Sequence, residues 1–585
     1  MTTSLSKYFA FGLGLALTAM ANGGGLRAAP LHVDFIYEAD KRPLLADSLR
    51  YKTEAGETVS FTRLDWLASD FSVTTVDGRT YKFPGVYAYV PTQGGSVSLG
   101  EMGAEKVKAI SFYVGPDAAA NHKDPASFGA GHPLNPEVNN LHWDWQGGYI
   151  FMALEGHWRT GEERETGGFS YHFARDQNRT KITLPLNAEL RDEARIIVAL
   201  DPVKLLDGLT IAKDGRSTHS AQGDPVATRL HNNLQHAFRL AGLERGGVPA
   251  PANPPLPIDL PPLAKAYAIS LPRNIPLPSL PLDNPIIEAR VNLGRALFHE
   301  PALSRDSVIS CVNCHNPAEG FSDSRPLSRG VDDLEGRRQS MPLFNLAWKN
   351  TFFWDGRAPS IRAQVLMPIQ DHLEMDANLD DVVEKLWLDP RYPALFAEAF
   401  GSGDITAANI GLALENYLLT LTSFDSKFDR AMKGQGALSA EEKRGFELFF
   451  TEYEPRQGKY GADCFHCHGG ALFTDHAFHN NGLRPSQDLG REEVTGKESD
   501  RYKFITPSLR NVALTAPYMH DGRIQTLEQV VGHYNRPLRP SETLDPNLAK
   551  HPEGLGLSRA EQQAIVAFLK TLNDPKLENG GITAR

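Results

Sequence analysis

A chain with only four cysteines in 585 residues has few ways to use them, and here they fall in two look-alike units. The units are Cys311-Val312-Asn313-Cys314-His315 and Cys464-Phe465-His466-Cys467-His468. Two thiols three positions apart can reach both vinyl groups of one porphyrin while the adjacent histidine swings beneath to ligate iron, which is how a c-type haem is attached. The other readings of C-x-x-C pairs are a zinc site made by all four cysteines, or two disulfides. Zinc leaves His315 and His468 unexplained, and a redox-active C-x-x-C disulfide belongs to a thioredoxin-like setting not visible in this chain. Two covalently bound haem c groups are therefore expected, one on Cys311, Cys314 and His315, the other on Cys464, Cys467 and His468.

The chain is several times the usual domain length of about 100–200 residues, so several domains are expected. A net charge of -11 without a basic run advertises neither nucleic acid nor an anionic membrane as partner. Residues 1–29 read as an export signal: Lys7 precedes the apolar run Tyr8 to Met20, and cleavage is expected near Ala21 or later near Ala29. The run is shorter than the roughly 20 apolar residues a bilayer span needs, so no stable membrane insertion is expected after cleavage; an uncleaved anchor is the alternative. A periplasmic location follows, and suits the haem motifs.

Residues 30–245 read as β. Phe169, Tyr171 and Phe173 alternate with Ser170 and His172, and Val107 to Val114 and Tyr149 to Leu154 are further short runs, separated by turns such as Asp77-Gly78 and Gly147-Gly148. This predicts an antiparallel β-sandwich, closed by a helix from Ala227 to Leu243. Residues 246–285 are dense in proline and form a boundary whose composition favours extended geometry. Composition leaves open whether this segment is a free spacer or lies on the next domain. Beyond it the pattern is helical, with capping boxes at Ser439-x-x-Glu442, Thr526-x-x-Gln529 and Ser558-x-x-Glu561. The predicted fold is an N-terminal antiparallel β-sandwich followed by two mainly α-helical cytochrome c-type domains, 286–435 and 436–585.

The helical half resembles the dihaem cytochrome c peroxidase and MauG family. The matching text is Leu293-Gly294-Arg295-Ala296-Leu297-Phe298, Phe353-Trp354-Asp355-Gly356-Arg357-Ala358, Thr506-Pro507-Ser508-Leu509-Arg510-Asn511, and Thr515-Ala516-Pro517-Tyr518-Met519-His520-Asp521-Gly522. The resemblance implies that His315 and His468 are the proximal iron ligands of a peroxide-binding haem and a relay haem. It implies that Gln364, Pro368 and Glu374 form the distal pocket, with Glu374 as the acid-base group, and that Trp354 relays electrons between the haems. Read alone, Glu374 is a surface carboxylate and Trp354 an ordinary core residue. The loop from Asn316 to Lys349 holds no histidine, so the first iron should have an open position. The relay iron's sixth ligand, methionine in the peroxidases and tyrosine in MauG, falls on Tyr534, with His533 and Met519 as rivals. A calcium ion is implied between the haem domains, at backbone oxygens of Thr515 and Pro517, with Gln339 where the family has asparagine.

The N-terminal half resembles the MbnP family of copper-binding sandwich proteins, partners of the MauG relative MbnH. The matching text is Arg63-Leu64-Asp65-Trp66-Leu67-Ala68-Ser69-Asp70, Trp143-Asp144-Trp145-Gln146-Gly147-Gly148-Tyr149 and Tyr171-His172-Phe173. Phe35 and Tyr37 stand where the family's first strand tends to carry a histidine, which leaves copper in this domain an open question. His142, His157 and His172 are imidazole donors without a tight ligand spacing.

The two resemblances together imply a fused oxidant and substrate. Hydrogen peroxide would form a high-valent dihaem state that oxidises a tryptophan of the chain's own N-terminal domain, with Trp66, Trp143, Trp145 and Trp158 as candidates. For each of these four, a packed core or edge aromatic is the plainer reading. The tether would hold the halves at an effective concentration of order millimolar, enough for a weak interface. The alternative is a cytochrome c peroxidase fed by a small electron-transfer protein.

Overall fold

The computed structural model describes residues 29–578 apart from 47, 104, 144–147, 161–166, 191–192, 246–259, 262–263, 273–274, 277, 279, 282, 455–457 and 485. The expected export signal and Trp145 lie outside the described residues, save that Ala29 opens the first strand, Ala29–Ala39. No helix among the described residues is long and apolar enough to cross a membrane.

Alternating apolar residues build two curled sheets. One orders the strands Phe238–Arg245, Ala194–Leu200, Ala29–Ala39 and Gly95–Met102. The other orders Thr180–Leu190, Glu105–Val114, Arg63–Thr75, Ile150–Arg159 and Gly167–Ala174. Between them Phe35 meets Trp66 edge-on at 4.9 Å, and Phe112 stacks on Phe71 at 5.9 Å. Such ring pairs each add about 0.5–1.5 kcal/mol beyond the area they bury.

The sandwich matches expectation, with two parallel pairings among the antiparallel ones: Ala29–Ala39 with Ala194–Leu200, and Gly167–Ala174 with Ser217–Thr218. One expectation is corrected. The helix sought over Ala227–Leu243 is Pro225–Ala237 only, and Phe238–Arg245 is a strand paired with Ala194–Leu200. Phe238 fills the core 5.2 Å from Trp66, and the waiting edge of Ala194–Leu200 satisfies its backbone. Tertiary pairing overrides a local pattern that fits a helix equally well.

The later part of the proline-rich segment lies on the first haem half. Ile275 is buried in that half's core, Trp348 Nε1 donates to the Pro276 carbonyl at 2.8 Å, and Asp283 pairs with Arg362 at 2.6 Å. Each haem half is then built on one tight helix crossing. Gly294 of Glu288–Phe298 meets the Ala413 carbonyl of Ala407–Leu419, where a Cβ would come within 2.0 Å of the oxygen. Gly445 of Ala440–Phe449 meets the Ala564 carbonyl of Arg559–Lys570, where the figure is 1.9 Å. All three expected capping boxes are formed. Helix Lys427–Met432 precedes the boundary expected near Gln435, yet its Phe428 packs 5.6 Å from Phe446 and Phe568 of the second half.

The sandwich docks on the second haem half through a dense polar interface. Asn547 Nδ2 donates to Glu155 at 3.0 Å, His157 Nε2 donates to the Leu544 carbonyl at 2.6 Å, and Ser217 Oγ donates to Glu452 at 3.0 Å. Gly168 lies so close to Pro546 that a Cβ would fall 1.9 Å from its carbonyl oxygen. Gly168→Ala must therefore push the two surfaces apart, at an expected cost of about 1–3 kcal/mol. Calorimetry of the haem-loaded protein should show a lowered unfolding transition; an unchanged one would contradict this close approach.

Candidate functional site

Cys311, Cys314 and His315 border a cavity of about 410 Å³ whose walls also include Trp354, Gln364, Pro368 and Glu374. His315 Nδ1 donates to the Phe321 carbonyl at 3.0 Å, which orients the ring. Phe321 has a φ of 57°, a left-handed turn at the residue that supplies this carbonyl. The second unit repeats the device. His468 Nδ1 donates to the Phe473 carbonyl at 3.1 Å, Phe473 has a φ of 54°, and Cys464, Cys467 and His468 border a second cavity of about 200 Å³.

The two cysteine pairs border different cavities, which removes the four-thiol zinc alternative. Burial pushes the Cys311 and Cys464 thiols up to about 12 and Cys314 to about 11. Neutral thiols are poor thiolate ligands. Largely apolar cavities, paired thiols on one wall and an oriented imidazole fit haem c at both places.

Trp354 borders both cavities and is 8% exposed. Its Nε1 donates to the Gln339 carbonyl at 2.8 Å, and its own carbonyl accepts the Ile505 N–H at 2.9 Å. The Gln339 N–H in turn donates to the His520 carbonyl at 2.8 Å, so this residue ties the indole to both haem halves. Gln339 was expected near calcium; its side-chain amide donates to Ser322 Oγ at 2.7 Å, while the Thr515 hydroxyl donates to the Val512 carbonyl at 3.2 Å and Pro517 lies two residues on.

In the first cavity, Gln364 ends the helix Ile361–Gln364 and Pro368 lies within Leu366–Gln370. Glu374 is half-buried beyond them. Burial, then the neighbouring Asp371 charge, pushes its carboxyl up to about 7, against the opposing pull of Arg357 and Arg337. In the second cavity Tyr534, the last residue of Leu527–Tyr534, reaches the lining, and burial raises its phenol pKa. Of the rival ligands, Met519 also reaches this cavity, with Sδ 3.4 Å from Asn481 Nδ2, while His533 Nε2 donates to the Asn481 carbonyl at 2.9 Å.

The described candidate tryptophans have unlike surroundings. Trp66 is fully buried in the sandwich, its Nε1 donating to the Tyr37 hydroxyl at 3.1 Å, and Trp158 lies under the Arg216 guanidinium at 5.2 Å. Trp143 stacks on His219 at 5.5 Å with 29° between the rings. His219 and His172 lie 5.5 and 5.2 Å from His466, which sits between the two cysteines of the second unit. Trp143 thus comes up against the second haem motif.

The places considered for copper separate. Phe35 and Tyr37 are core residues, with the Tyr37 hydroxyl donating to the Leu64 carbonyl at 2.8 Å. His142 packs edge-on against Tyr149 at 4.7 Å and His157 is held by Leu544. His172 joins His219 and His466, two residues that sequence reasoning passed over. His466 reads as a variable position of C-x-x-C-H, and His219 stands at no ligand spacing from the others.

The family model for di-haem cytochrome c peroxidase matches residues 288–437, and the model for MbnP matches residues 28–220. The methylamine utilization protein MauG of Methylorubrum extorquens is 40% identical over 316 residues, covering 53% of this chain and 84% of that protein. The cytochrome c551 peroxidase of Pseudomonas aeruginosa is 37% identical over 307 residues, covering 50% of this chain and 82% of that protein. Among solved structures, a MauG-like protein associated with microbial copper homeostasis aligns at 33% identity with a TM-score of 0.48, covering 53% of this chain and 97% of that one.

Glu374 makes the folded state sensitive to pH. Its carboxyl rises from an ordinary 4.5 to about 7, so between those values the folded chain binds more protons than the unfolded one. The stability this group contributes is complete below pH 4.5 and is lost as pH rises through 7. Denaturant unfolding of wild type and Glu374→Gln across this range should show the wild-type decline flattened in the variant; parallel curves would contradict the shift.

Proposed function

Because the chain belongs to the dihaem cytochrome c peroxidase and MauG family and carries an MbnP-like domain, we propose that it uses hydrogen peroxide to oxidise a tryptophan of its own sandwich, Trp143. The observation that carries this reading is the stack of Trp143 on His219, beside His466 of the second haem unit. An exported, periplasmic chain belongs to the same reading.

Bound haem supplies iron at which peroxide is reduced and through which two electrons are drawn from the protein. Glu374, poised near neutrality, takes the proton from one peroxide oxygen and returns it to the other. Gln364 and Pro368 shape the wall beside it, and the His315 and His468 rings are held to their roles through Nδ1. Trp354, pinned by the Gln339 carbonyl between the cavities, passes electrons from the second site to the first. With haem bound, Tyr534 would offer the second site a phenolic oxygen that, once deprotonated, is a hard anionic donor favouring higher oxidation states. The balance is one peroxide and one tryptophan to one oxygenated tryptophan and one water, so no further reductant is required.

Peptide mass spectrometry of the haem-loaded protein before and after hydrogen peroxide should find one added oxygen atom on Trp143 and none on Trp66 or Trp158. Unchanged tryptophans, with turnover sustained by a reduced small cytochrome, would replace this reading with the carrier-fed peroxidase. Glu374→Gln should slow peroxide consumption about 10²–10⁴-fold by stopped-flow with both haems retained. A loss smaller than about tenfold would remove Glu374 from the proton transfer.

A further inference from the structure

One cation on the wall of the first cavity has no counter-ion among the described residues. Lys349 directly follows the turn Leu346–Trp348, which is held at both ends. Trp348 Nε1 donates to the Pro276 carbonyl at 2.8 Å, and the Asn345 N–H that precedes the turn donates to the Leu421 carbonyl at 2.7 Å. The Lys349 ammonium meets Met341 Sδ at 3.8 Å and the Phe352 ring at 5.9 Å, and both of these residues border the same cavity. A thioether is a weak acceptor, and a ring face at that range attracts a cation only modestly. Burial alone acts on the amine and pushes it down to about 8, with no carboxylate pulling it back.

Other charges bordering this cavity have partners of their own. Arg338 pairs with Asp355 at 2.5 Å and with Asp488 at 2.7 Å, and Arg357 pairs with Asp355 at 3.1 Å. Glu374 feels Asp371, Arg357 and Arg337, not Lys349. The Lys349 charge is felt instead by His476 of the second haem half. His476 is pushed down to about 4, first by burial and then by Lys349, and its buried Nε2 has no hydrogen-bond partner among the described residues. The neighbourhood of Lys349 thus offers a cation and a neutral imidazole, and no anion.

A carboxylate is what this place lacks. Haem is an apolar disc with two propionate carboxylates on one edge. Carried into a cavity walled largely by apolar residues, a propionate needs a cation as much as the buried cation needs it. A compact ammonium on a four-carbon stem can reach one such carboxylate without a fixed fork geometry.

We infer that the Lys349 ammonium is the counter-ion of a haem propionate at the first site, so that loading of the cofactor neutralises a cation the chain itself leaves unpaired. Lys349 is then a positioning residue. It holds the rim of the macrocycle, and its fixed positive charge favours the reduced iron over the oxidised one. The inference rests on haem at the first site and is independent of what peroxide does there.

The test uses haem-loaded full-length protein, with haem counted as the pyridine haemochrome. A wild-type first site that takes up no haem would overturn the haem reading itself, and this inference with it. With two haems per chain, Lys349→Met is expected to lower the midpoint potential of the first site and leave that of the second in place. The propionate bending bands in its resonance Raman spectrum should shift, and Lys349→Arg should restore both signals. Unmoved potential and bands in Lys349→Met would overturn the pairing. A lowered potential with unmoved bands would overturn it too, since the charge would then act only through space. Should Lys349→Met fail to take up haem, a crystal structure of the haem-loaded wild type still decides. Lys349 Nζ is expected about 2.7–2.9 Å from a propionate oxygen, and propionates paired only with other groups would overturn the proposal.

Discussion

The Lys550 ammonium lies buried between two carboxylates, 3.1 Å from Glu452 and 3.0 Å from Asp463, and His551 Nε2 donates to the same Asp463 at 2.6 Å. Burying such ions costs several kcal/mol apiece unless each is paired, so the group holds together or fails together. Glu452 and Asp463 are held well below the usual carboxylate range: burial raises them, but the cations and histidines around them outweigh it. Asp463 directly precedes the second haem unit, Ser217 reaches Glu452 from the sandwich, and Lys550 follows the helix Pro546–Ala549 on which Gly168 rests. One electrostatic knot therefore fixes three pieces of chain at once. Trp143 and His219 come to rest beside His466 because of it.

The two haem units share a fold device and differ in what surrounds it. Each histidine is steered by a phenylalanine carbonyl, and each half closes on a glycine at a helix crossing. The first cavity then receives a carboxylic acid raised toward neutrality, and the second a phenol and a wall shared with the sandwich interface. Trp354, bordering both, is where the two environments meet.

Local signals were readable in the sequence where the physics is local. The two C-x-x-C-H units, the three capping boxes and the alternating strands depend on residues within one or two turns of each other, and all appear as expected. Where distant partners decide, the reading stopped short. Phe238 to Leu243 fits a helix by pattern and becomes a strand because Ala194–Leu200 offers an edge. The proline-rich composition announced a boundary without saying that Ile275 and Pro276 would be held by the first haem half. His219 and His466 carry no spacing that links them, since only the docking of one domain on another brings their rings together.

The order of the domains in space is not their order along the chain. The sandwich rests on the second haem half, while the later part of the proline-rich segment lies on the first through Trp348, Pro276 and the Asp283–Arg362 pair. The sandwich and the second haem half therefore meet directly, while Ile275, Pro276 and Asp283 lie on the half that falls between them in sequence. Such an arrangement makes the seat of the sandwich depend on the helix Pro546–Ala549, so the sandwich finds its resting place only where that helix has formed.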